Sequence, residues 1–386
     1  MPFISNRLPQ SNGLYSDTAR VLLQRSGLQF VAVTLNDGTV IAELPDLQLT
    51  HLTYRFEETT SETATLPWRN APRNWDEATT PYQAAILLVR ESTVLWGGIV
   101  VKRERAMRGD GLTLTLATVE HYLDNVYVQD HTYTNRDQCE IVEDLVTTTL
   151  KNHRFNLVVE ASPSKIKRDR TYEAESDKTL LSVLQELANV LNGPEWCTSW
   201  RAINDGHYEP VMTVADHIGS TTPSTTFDES VMTTFNLLED YTNGYGANAV
   251  MAVSTADAGD RPQSDWMIAN QPNRPMVEYV FQPSTSITNK ATLNEHAKSS
   301  LLQMQNGTQT IKMGVSLLSA PMVNEEWKPG DLISWTVKED AEHFPDHNHG
   351  TARIIGYEID FSQAWTITPI LQQEDDNAEQ IQVQSR

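Results

Sequence analysis

The feature that most constrains this chain is a series of short runs in which apolar and polar residues alternate, separated by turn-forming residues. Leu28–Leu35 and Thr39–Leu44 flank Asn36-Asp37-Gly38, a turn sequence typical of β-hairpins. Side chains alternate between the two faces of a strand, so these runs predict antiparallel sheets with one buried face. The strands predicted before residue 125 are Leu28–Leu35, Thr39–Leu44, Leu47–Glu58, Tyr82–Arg90, Leu95–Arg105 and Leu112–Val119.

The pattern changes between residues 126 and 220. Asp137 with Glu140 three positions later is a helix capping-box sequence, and the apolar residues that follow have helical spacing. A second apolar helical face ends at Gly193-Pro194, which is a stop signal. This region therefore predicts a compact α+β domain. Its predicted elements are the helices Asp137–Lys151 and Asp177–Leu191, the strand Phe155–Glu160, and the hairpin of Glu195–Ile203 with His207–Val214.

From residue 221 to residue 375 the alternating pattern returns. One helix, Asn289–Gln305, interrupts it, and residues 376–386 form a polar tail that is expected to fray or to contact a partner. The order predicts an α+β protein that is mainly β, with β domains at 1–125 and 221–375 flanking an α+β domain at 126–220. The later strands predicted are Met232–Leu238, Ala249–Ser254, Met276–Phe281, Thr308–Leu318, Asp331–Val337 and Ala352–Ile370.

Charge limits the classes of function. Among 386 residues, 51 are acidic and 29 basic, which gives a formal net charge of −22. Such a chain repels phosphate backbones, so it is a poor nucleic-acid binder as a whole. Two interpretations stay open: the charge serves solubility, or it forms a surface past which nucleic acid moves without sticking. Two cysteines, no apolar stretch of membrane-spanning length and no secretory signal indicate a chain that folds in a reducing compartment.

The paired glycines Gly97-Gly98 raise the question of a phosphate-binding loop. Such a loop needs its glycines between a strand and a helix, whereas these glycines lie in an extended apolar pattern that is followed by another strand. The sequence therefore predicts strand glycines at a bulge or a close backbone approach. The charged end of this stretch, Lys102–Arg105, is expected to reach solvent or a neighbouring subunit.

Other candidate sites are weak. His343–His349 contains a His-x-His pair within a turn, and either a metal site or a solvated loop is consistent with it. Lys165–Arg170 is a basic cluster in a predicted loop, and no serine elbow or paired acid constellation is present. The tryptophans at four positions suit core packing or subunit contact at least as well as sugar stacking. These tryptophans are Trp68, Trp75, Trp196 and Trp200. The sequence thus predicts no catalytic residue, no cofactor and no metal ligand.

A resemblance adds to this interpretation. The segment Tyr82–Val128 resembles a segment of minor tail proteins of actinobacterial siphophages. The matching residues are Trp96, Gly98 and Ile99, a polar turn at Arg108–Gly111, an alternating strand from Leu112 to Leu116, and the pair Tyr122-Leu123. The helix Thr179–Ala188, WKPGDLISW at Trp327–Trp335 and TARIIGYEID at Thr351–Asp360 resemble further parts of those proteins.

The resemblance implies a baseplate-hub protein with two tail-tube-like β-barrels and an α+β insertion. It implies a homotrimer that is assembled in the host cytoplasm, lies at the virion tail tip and lets DNA pass during ejection without a specific contact. The expected partners are the tail-tube or distal tail protein, the tape-measure protein and tip or fibre proteins. Two alternatives stay open: a cell-wall-degrading enzyme that uses buried carboxylates or the His343–His349 loop, and a host-glycan adhesin that uses the tryptophan-bearing loops.

Overall fold

The computed structural model describes residues 27–190, 192–204, 206–242, 246–254, 261–282, 287, 289–318, 321–338, 340–345, 348–362, 365–372 and 381–384. Within these ranges the regular structure is mainly β, arranged in several sheets with a smaller share of helix. The predicted fold class, α+β and mainly β, is confirmed. None of the helices in the described ranges combines the length and the apolar character that crossing a bilayer requires.

The first part of the chain contains the strands of one large sheet, one strand (β4) of another sheet, and two short helices. Their bounds are β1 (Leu28–Thr34), β2 (Val40–Glu43), β3 (Gln48–Leu49), β4 (His51–Arg55), β5 (Ser61–Pro67), α1 (Trp75–Ala78), β6 (Ala84–Arg90), β7 (Thr93–Arg105), β8 (Gly111–Ala117) and α2 (Val119–Leu123).

The middle part mixes helices and strands. Their bounds are β9 (His131–Asp137), α3 (Gln138–Leu150), β10 (Val158–Ala161), β11 (Lys167–Tyr172), α4 (Leu180–Ala188), β12 (Glu195–Asn204) and β13 (His207–Ala215).

The last part is again rich in strands. Their bounds are β14 (Thr226–Phe227), β15 (Met232–Asp240), β16 (Ala249–Ala252), β17 (Trp266–Ala269), β18 (Glu278–Phe281), α5 (Lys290–Met304), β19 (Thr308–Ser316), β20 (Leu332–Thr336), β21 (His349–Asp360), β22 (Thr366–Leu371) and β23 (Ile381–Gln384).

The first large sheet curves back on itself. Its strand order is β2-β1-β6-β7-β8-β5-β3, so its two edge strands follow each other along the chain. A flat sheet of this size would separate the edges by ~29 Å at ~4.8 Å per strand, whereas the link from Glu43 to Gln48 spans at most ~19 Å. Within that link the Leu47 N–H donates to the Leu44 carbonyl at 3.1 Å, which makes it tighter still. The sheet is therefore a partly closed barrel.

The second large sheet closes in the same way. Its order is β14-β20-β21-β22-β19-β15, and its edge strands are again consecutive along the chain. The Asp228 carbonyl accepts from the N–H groups of Val231 and Met232 at 3.1 and 3.0 Å, which forms a tight turn between those edges. β4 ties the two sheets together, because it follows β3 of the first sheet along the chain and pairs antiparallel with β21, from Gly356 opposite Arg55 to Asp360 opposite His51.

The mixed part packs on one face of the first sheet. β13 lies between β10 and β12, parallel to β10 and antiparallel to β12. Buried side chains of α3, α4 and the β12–β13 hairpin form one apolar core with β1, β6 and β7. α3 begins after Asp137, whose carboxylate accepts from the Cys139 N–H at 2.9 Å. The predicted capping box is only half made, because Glu140 pairs instead with Arg136 at 3.6 Å.

The chain divides into two compact units. The first comprises the described residues up to Thr233 and Gly314–Ile370, and the second comprises the described residues of Thr234–Met313 and those from Leu371 onward. In the second unit α5 packs on a sheet of order β18-β16-β17-β23, with Leu293, Ala297 and Leu301 in its core. β23 pairs with β17, so part of the predicted polar tail forms a strand. The domain boundaries at 125, 220 and 375 stay predictions.

Several local predictions need correction. The predicted strand Leu47–Glu58 is split, because β3 pairs with β5 while β4 pairs with β21. β5 pairs with β8 and lies between Leu47–Glu58 and Tyr82–Arg90, where the sequence predicts no strand. The basic cluster Lys165–Arg170, which is predicted to lie in a loop, contributes to β11, which pairs with β9. Arg103 does not extend into solvent: its side chain is 10% exposed, and it donates to the Asp76 carbonyl at 2.8 Å.

The glycine prediction is confirmed, since Gly97 and Gly98 lie inside β7. A β-carbon on Gly97 would lie 2.4 Å from Cδ1 of Trp200 and 2.7 Å from Cδ2 of Leu87. Glycine is therefore required here by the close approach of the Trp200 ring on β12. β7 also carries two register irregularities, one near Leu95 against β6 and one at Val101 against β8.

We predict that Gly97→Ala lowers the free energy of unfolding by about 1–3 kcal/mol, because the added methyl overpacks the contact with Trp200. Denaturant unfolding of the single and double variants measures it. In a Trp200→Leu background the cost of Gly97→Ala should fall by at least half. An equal cost in both backgrounds would contradict the packing explanation.

Candidate functional site

The polar groups of the first unit converge where β4, β7, β12 and β21 meet. The rings of Tyr54 and Tyr357 lie 5.7 Å apart, and the Tyr357 hydroxyl donates to the Leu95 carbonyl. The Tyr54 hydroxyl accepts from the Thr198 N–H at 3.1 Å. Burial raises the pKa of both phenols, so they stay protonated hydrogen-bonding groups. Asn324 donates to the Val94 carbonyl at 3.0 Å and fixes the same segment of β7.

A cavity of about 390 Å³ opens at this junction. It lies between residues 92–97 of β7 with its preceding turn and residues 197–202 of β12, and both buried and exposed side chains line it. Its volume is within the range of ~300–1,000 Å³ that is usual for ligand pockets. Among the residues that line it are Thr93, Gly97, Thr198, Trp200, Lys328 and Tyr357.

One edge of β12 has no strand partner among the described residues. β12 pairs only with β13, so alternate N–H groups point to its other side. The Trp196 N–H reaches a carboxylate oxygen of Glu57 at 3.3 Å, and the Thr198 N–H reaches Tyr54. The alternation directs the Trp200 N–H to the same edge. Side chains thus replace a neighbouring strand at the first two positions.

Glu57 sits at this edge in an unfavourable setting for a charge. Burial raises its pKa to about 7, the Trp196 N–H opposes that shift, and the nearby Glu195 carboxylate adds to it. Its backbone is held by the Gln185 side chain, which donates to the Glu57 carbonyl at 2.7 Å, and its φ is +58°. A positive φ in a non-glycine residue is strained, so the surrounding contacts determine this conformation.

Glu195 and Arg353 form a two-point ion pair beside Glu57. The distances between their nitrogen and oxygen atoms are 2.7 and 2.5 Å. The remaining guanidinium donors reach the Ile218 carbonyl at 2.9 Å and the Gly330 carbonyl at 3.1 Å. The Arg353 charge also acts to lower the pKa of Glu57, but it is shared with Glu195, and burial prevails.

Glu120 is a second buried acid. One carboxyl oxygen accepts from the Thr198 hydroxyl at 2.6 Å, and the other has no partner among the described residues. Burial raises the pKa of Glu120, which favours the neutral acid. Burial also raises the pKa of the neighbouring Cys197 thiol to about 12, so this thiol is not an activated nucleophile. The junction is therefore suited to structural hydrogen bonding.

The structure describes only part of the His343–His349 loop, so its choice between a metal site and a solvated loop stays a prediction. His343 and His349 are described, and Asp346 and His347 lie outside the described residues. The His343 ring lies 3.5 Å from the exposed Asp340 carboxylate, and His349 contacts its neighbour Asn348. Across the described ranges there is no group of three or more His, Cys, Asp or Glu side chains placed to hold one metal ion.

The tryptophans fall into two pairs. Trp196 and Trp200 are buried in the core of the first unit, which excludes them from stacking on an external sugar. Trp68 and Trp75 are half-buried and meet edge to face at 5.0 Å. The Arg103 guanidinium lies 5.6 Å from the Trp75 ring and covers part of it.

The fold is similar to that of solved tail proteins. The tail protein from Neisseria meningitidis MC58 is 13% identical, with a TM-score of 0.51 over 90% of this chain and 97% of that one. The 43 kDa tail protein of prophage MuSo2 from Shewanella oneidensis is 10% identical, with a TM-score of 0.53 over 90% of this chain and 99% of that one. No protein-family model matches the chain, and no curated protein is significantly similar to it. At these identities the likeness establishes a shared fold.

The sequence did not predict the junction. Glu57, Glu120 and Arg353 are far apart along the chain, and no spacing rule links a glutamate after β4 to an arginine on β21. The available signal was their position inside or beside alternating apolar patterns, where a charged residue requires a partner.

We predict that Glu57→Gln stabilises the protein at alkaline pH. The folded pKa of about 7 exceeds the ordinary value of 4.5, so the fold favours the protonated form. That contribution is fully present below about pH 4.5 and is lost as the pH rises through about 7. The variant should match wild type near pH 4.5 and exceed it by about 2–3 kcal/mol near pH 8.5, as measured by denaturant unfolding.

The matched control is Glu58→Gln, one residue away. Glu58 is exposed and pairs with Arg55 at 3.6 Å, so its replacement should change stability little and without this pH dependence. A pH-independent difference between Glu57→Gln and wild type would contradict the assignment of a buried titrating acid.

Proposed function

We propose that this chain is a structural protein of a phage tail, and that it acts at the tail tip as a hub between the tail tube and the tip. The observation that carries the proposal is the likeness to two tail proteins over 90% of the chain. The resemblance of Tyr82–Val128 to minor tail proteins of actinobacterial siphophages supports the same class and suggests the type of phage.

The two curved sheets support a ring-forming role. Apart from β4, the first sheet lies within residues 28–117 and the second within residues 226–371, which fits barrel domains at 1–125 and 221–375. Three copies would supply six such sheets, and these would form a pseudo-sixfold ring on a threefold axis. The α+β domain at 126–220 would then be an insertion beside that ring.

The charge supports a channel that does not retain DNA. A bore lined by lysine and arginine would bind phosphates with release of counterions, whereas a bore lined by carboxylates repels them. The net charge of −22 is consistent with the second arrangement. The proposed partners are the tube or distal tail protein, the tape-measure protein and tip or fibre proteins, with localisation in the virion tail.

The proposed role needs no catalytic group. The acids at the junction are held by ion pairs, hydrogen bonds or burial, and the Cys197 thiol has a pKa of about 12. These are the properties of groups that hold elements together. We therefore propose that the chain has no enzymatic activity.

The assembly is tested by native mass spectrometry of the purified chain and by electron microscopy. We expect a species of three times the 43.4 kDa chain mass, with threefold symmetry and a central hole. Antibody labelling of purified virions should place the chain at one end of the tail. A chain that stays monomeric at high concentration and is absent from purified tails would refute the proposal.

A second prediction concerns DNA. At physiological salt the assembled protein should bind duplex DNA no more tightly than the ~10⁻⁴ M end of non-specific binding, because its net charge opposes phosphate contact. An electrophoretic mobility assay across salt concentrations measures this. Binding at micromolar concentrations with a steep salt dependence would contradict an acidic bore.

A further inference from the structure

The cavity between β7 and β12 is bounded by two strand edges. β8 first pairs with β7 at Ile99, so the preceding residues of β7 pair only with β6. On β12 the edge opposite β13 likewise has no strand partner among the described residues. The carbonyls of Val94 and Leu95 on one edge already accept from Asn324 and Tyr357, and side chains occupy the first two N–H groups of the other edge. The part of the edge left to a ligand is at Trp200, and an extended peptide is a ligand that matches a strand edge.

Trp200 supplies two donors at this cavity. The strand alternation directs its backbone N–H to the free edge of β12, on the same side as the N–H groups of Trp196 and Thr198. Its indole Nε1 is also buried without a partner, and the side chain is 7% exposed. Buried donors are normally satisfied, so the open indole donor on a cavity-lining residue indicates a missing acceptor.

One cation at the cavity is available to an anionic ligand, although the carboxyl groups of Glu57, Glu120 and Glu195 also act on the cavity-lining Cys197. Lys328 lines it and is exposed, and no carboxylate of the described residues lies within ion-pair distance of its ammonium group. Arg201 also lines the cavity, but Glu160 and Glu209 neutralise it at 2.5 and 2.7 Å. The cation without a counter-charge is therefore Lys328, and a carboxylate on the ligand would complement it.

We propose that this cavity, the β7–β12 slot, receives an extended acidic segment of a second tail protein. A backbone carbonyl of that segment accepts from the Trp200 N–H groups, and one of its carboxylates pairs with Lys328. The volume of about 390 Å³ accommodates a few residues of an extended chain. The recognition chemistry stands on the slot alone, and only the origin of the segment rests on the proposed tail function.

The test uses the full chain with its tryptophan indoles labelled with ¹⁵N, and Trp200→Phe assigns the Trp200 signal. The probe is the blocked pentapeptide Val-Glu-Val-Glu-Val, with Val-Gln-Val-Gln-Val as its neutral counterpart. We expect the acidic peptide to shift the Trp200 indole signal and to bind at least tenfold more tightly than the neutral one. Lys328→Gln should remove most of that difference, whereas Lys338→Gln, at another exposed lysine, should preserve it.

Three outcomes would overturn the proposal. The first is no change in the Trp200 signal at 10 mM of the acidic peptide, on the scale of the weakest specific complexes at ~1 mM. The second is equal binding by the Lys328→Gln variant and wild type. The third is a Trp200 signal that changes with protein concentration before peptide is added, which would make a second copy the occupant. Circular dichroism confirms that each variant is folded. If the peptide does not bind, the tests of the trimer and of the virion location are unaffected. If those tests fail, peptide binding at the β7–β12 slot is still judged by its own result.

Discussion

The pairing of β4 with β21 is the interaction on which the first unit depends. β4 follows β3 along the chain, yet its ladder partner lies about 300 residues further on. This pairing brings Tyr54 against Tyr357 and places Glu57 beside the Glu195–Arg353 pair. Two curved sheets that could each close alone are thereby held together, and the polar junction between them has a fixed geometry.

Such a junction needs every polar group to be accounted for, because a buried donor or acceptor without a partner costs about 1–3 kcal/mol. The Glu195–Arg353 pair meets this condition through four hydrogen bonds. Glu57 and Glu120 meet it less well, and their raised pKa values are the consequence. Side chains along the open edge of β12 take the place of a neighbouring strand at Trp196 and Thr198, and the buried indole N–H of Trp200 has no partner among the described residues.

The sequence predicted what depends on local order. The β12–β13 hairpin, α3 after its Asp137 cap and α5 after Asn289 follow from periodicity and caps, and all are confirmed. The sequence predicts no strand at β5, and clustered charge at β11 favours a loop, whereas long-range pairing with β8 and β9 makes both segments strands. The junction and its slot depend on contacts more than 100 residues apart, and no local pattern encodes those.

A fold shared with two tail proteins at 10–13% identity is physically reasonable for this architecture. Sheet closure requires short links between edge strands, alternating apolar residues and a few close approaches such as Gly97 against Trp200. Many sequences meet these conditions, because cores tolerate broad apolar substitution when volume and pattern are kept. If a protein acts through its contact surfaces, the residues that determine binding lie at strand edges and at the rims of sheets. In this chain the open edge of β12 beside Lys328 is such a place, because no strand of the described residues pairs with it.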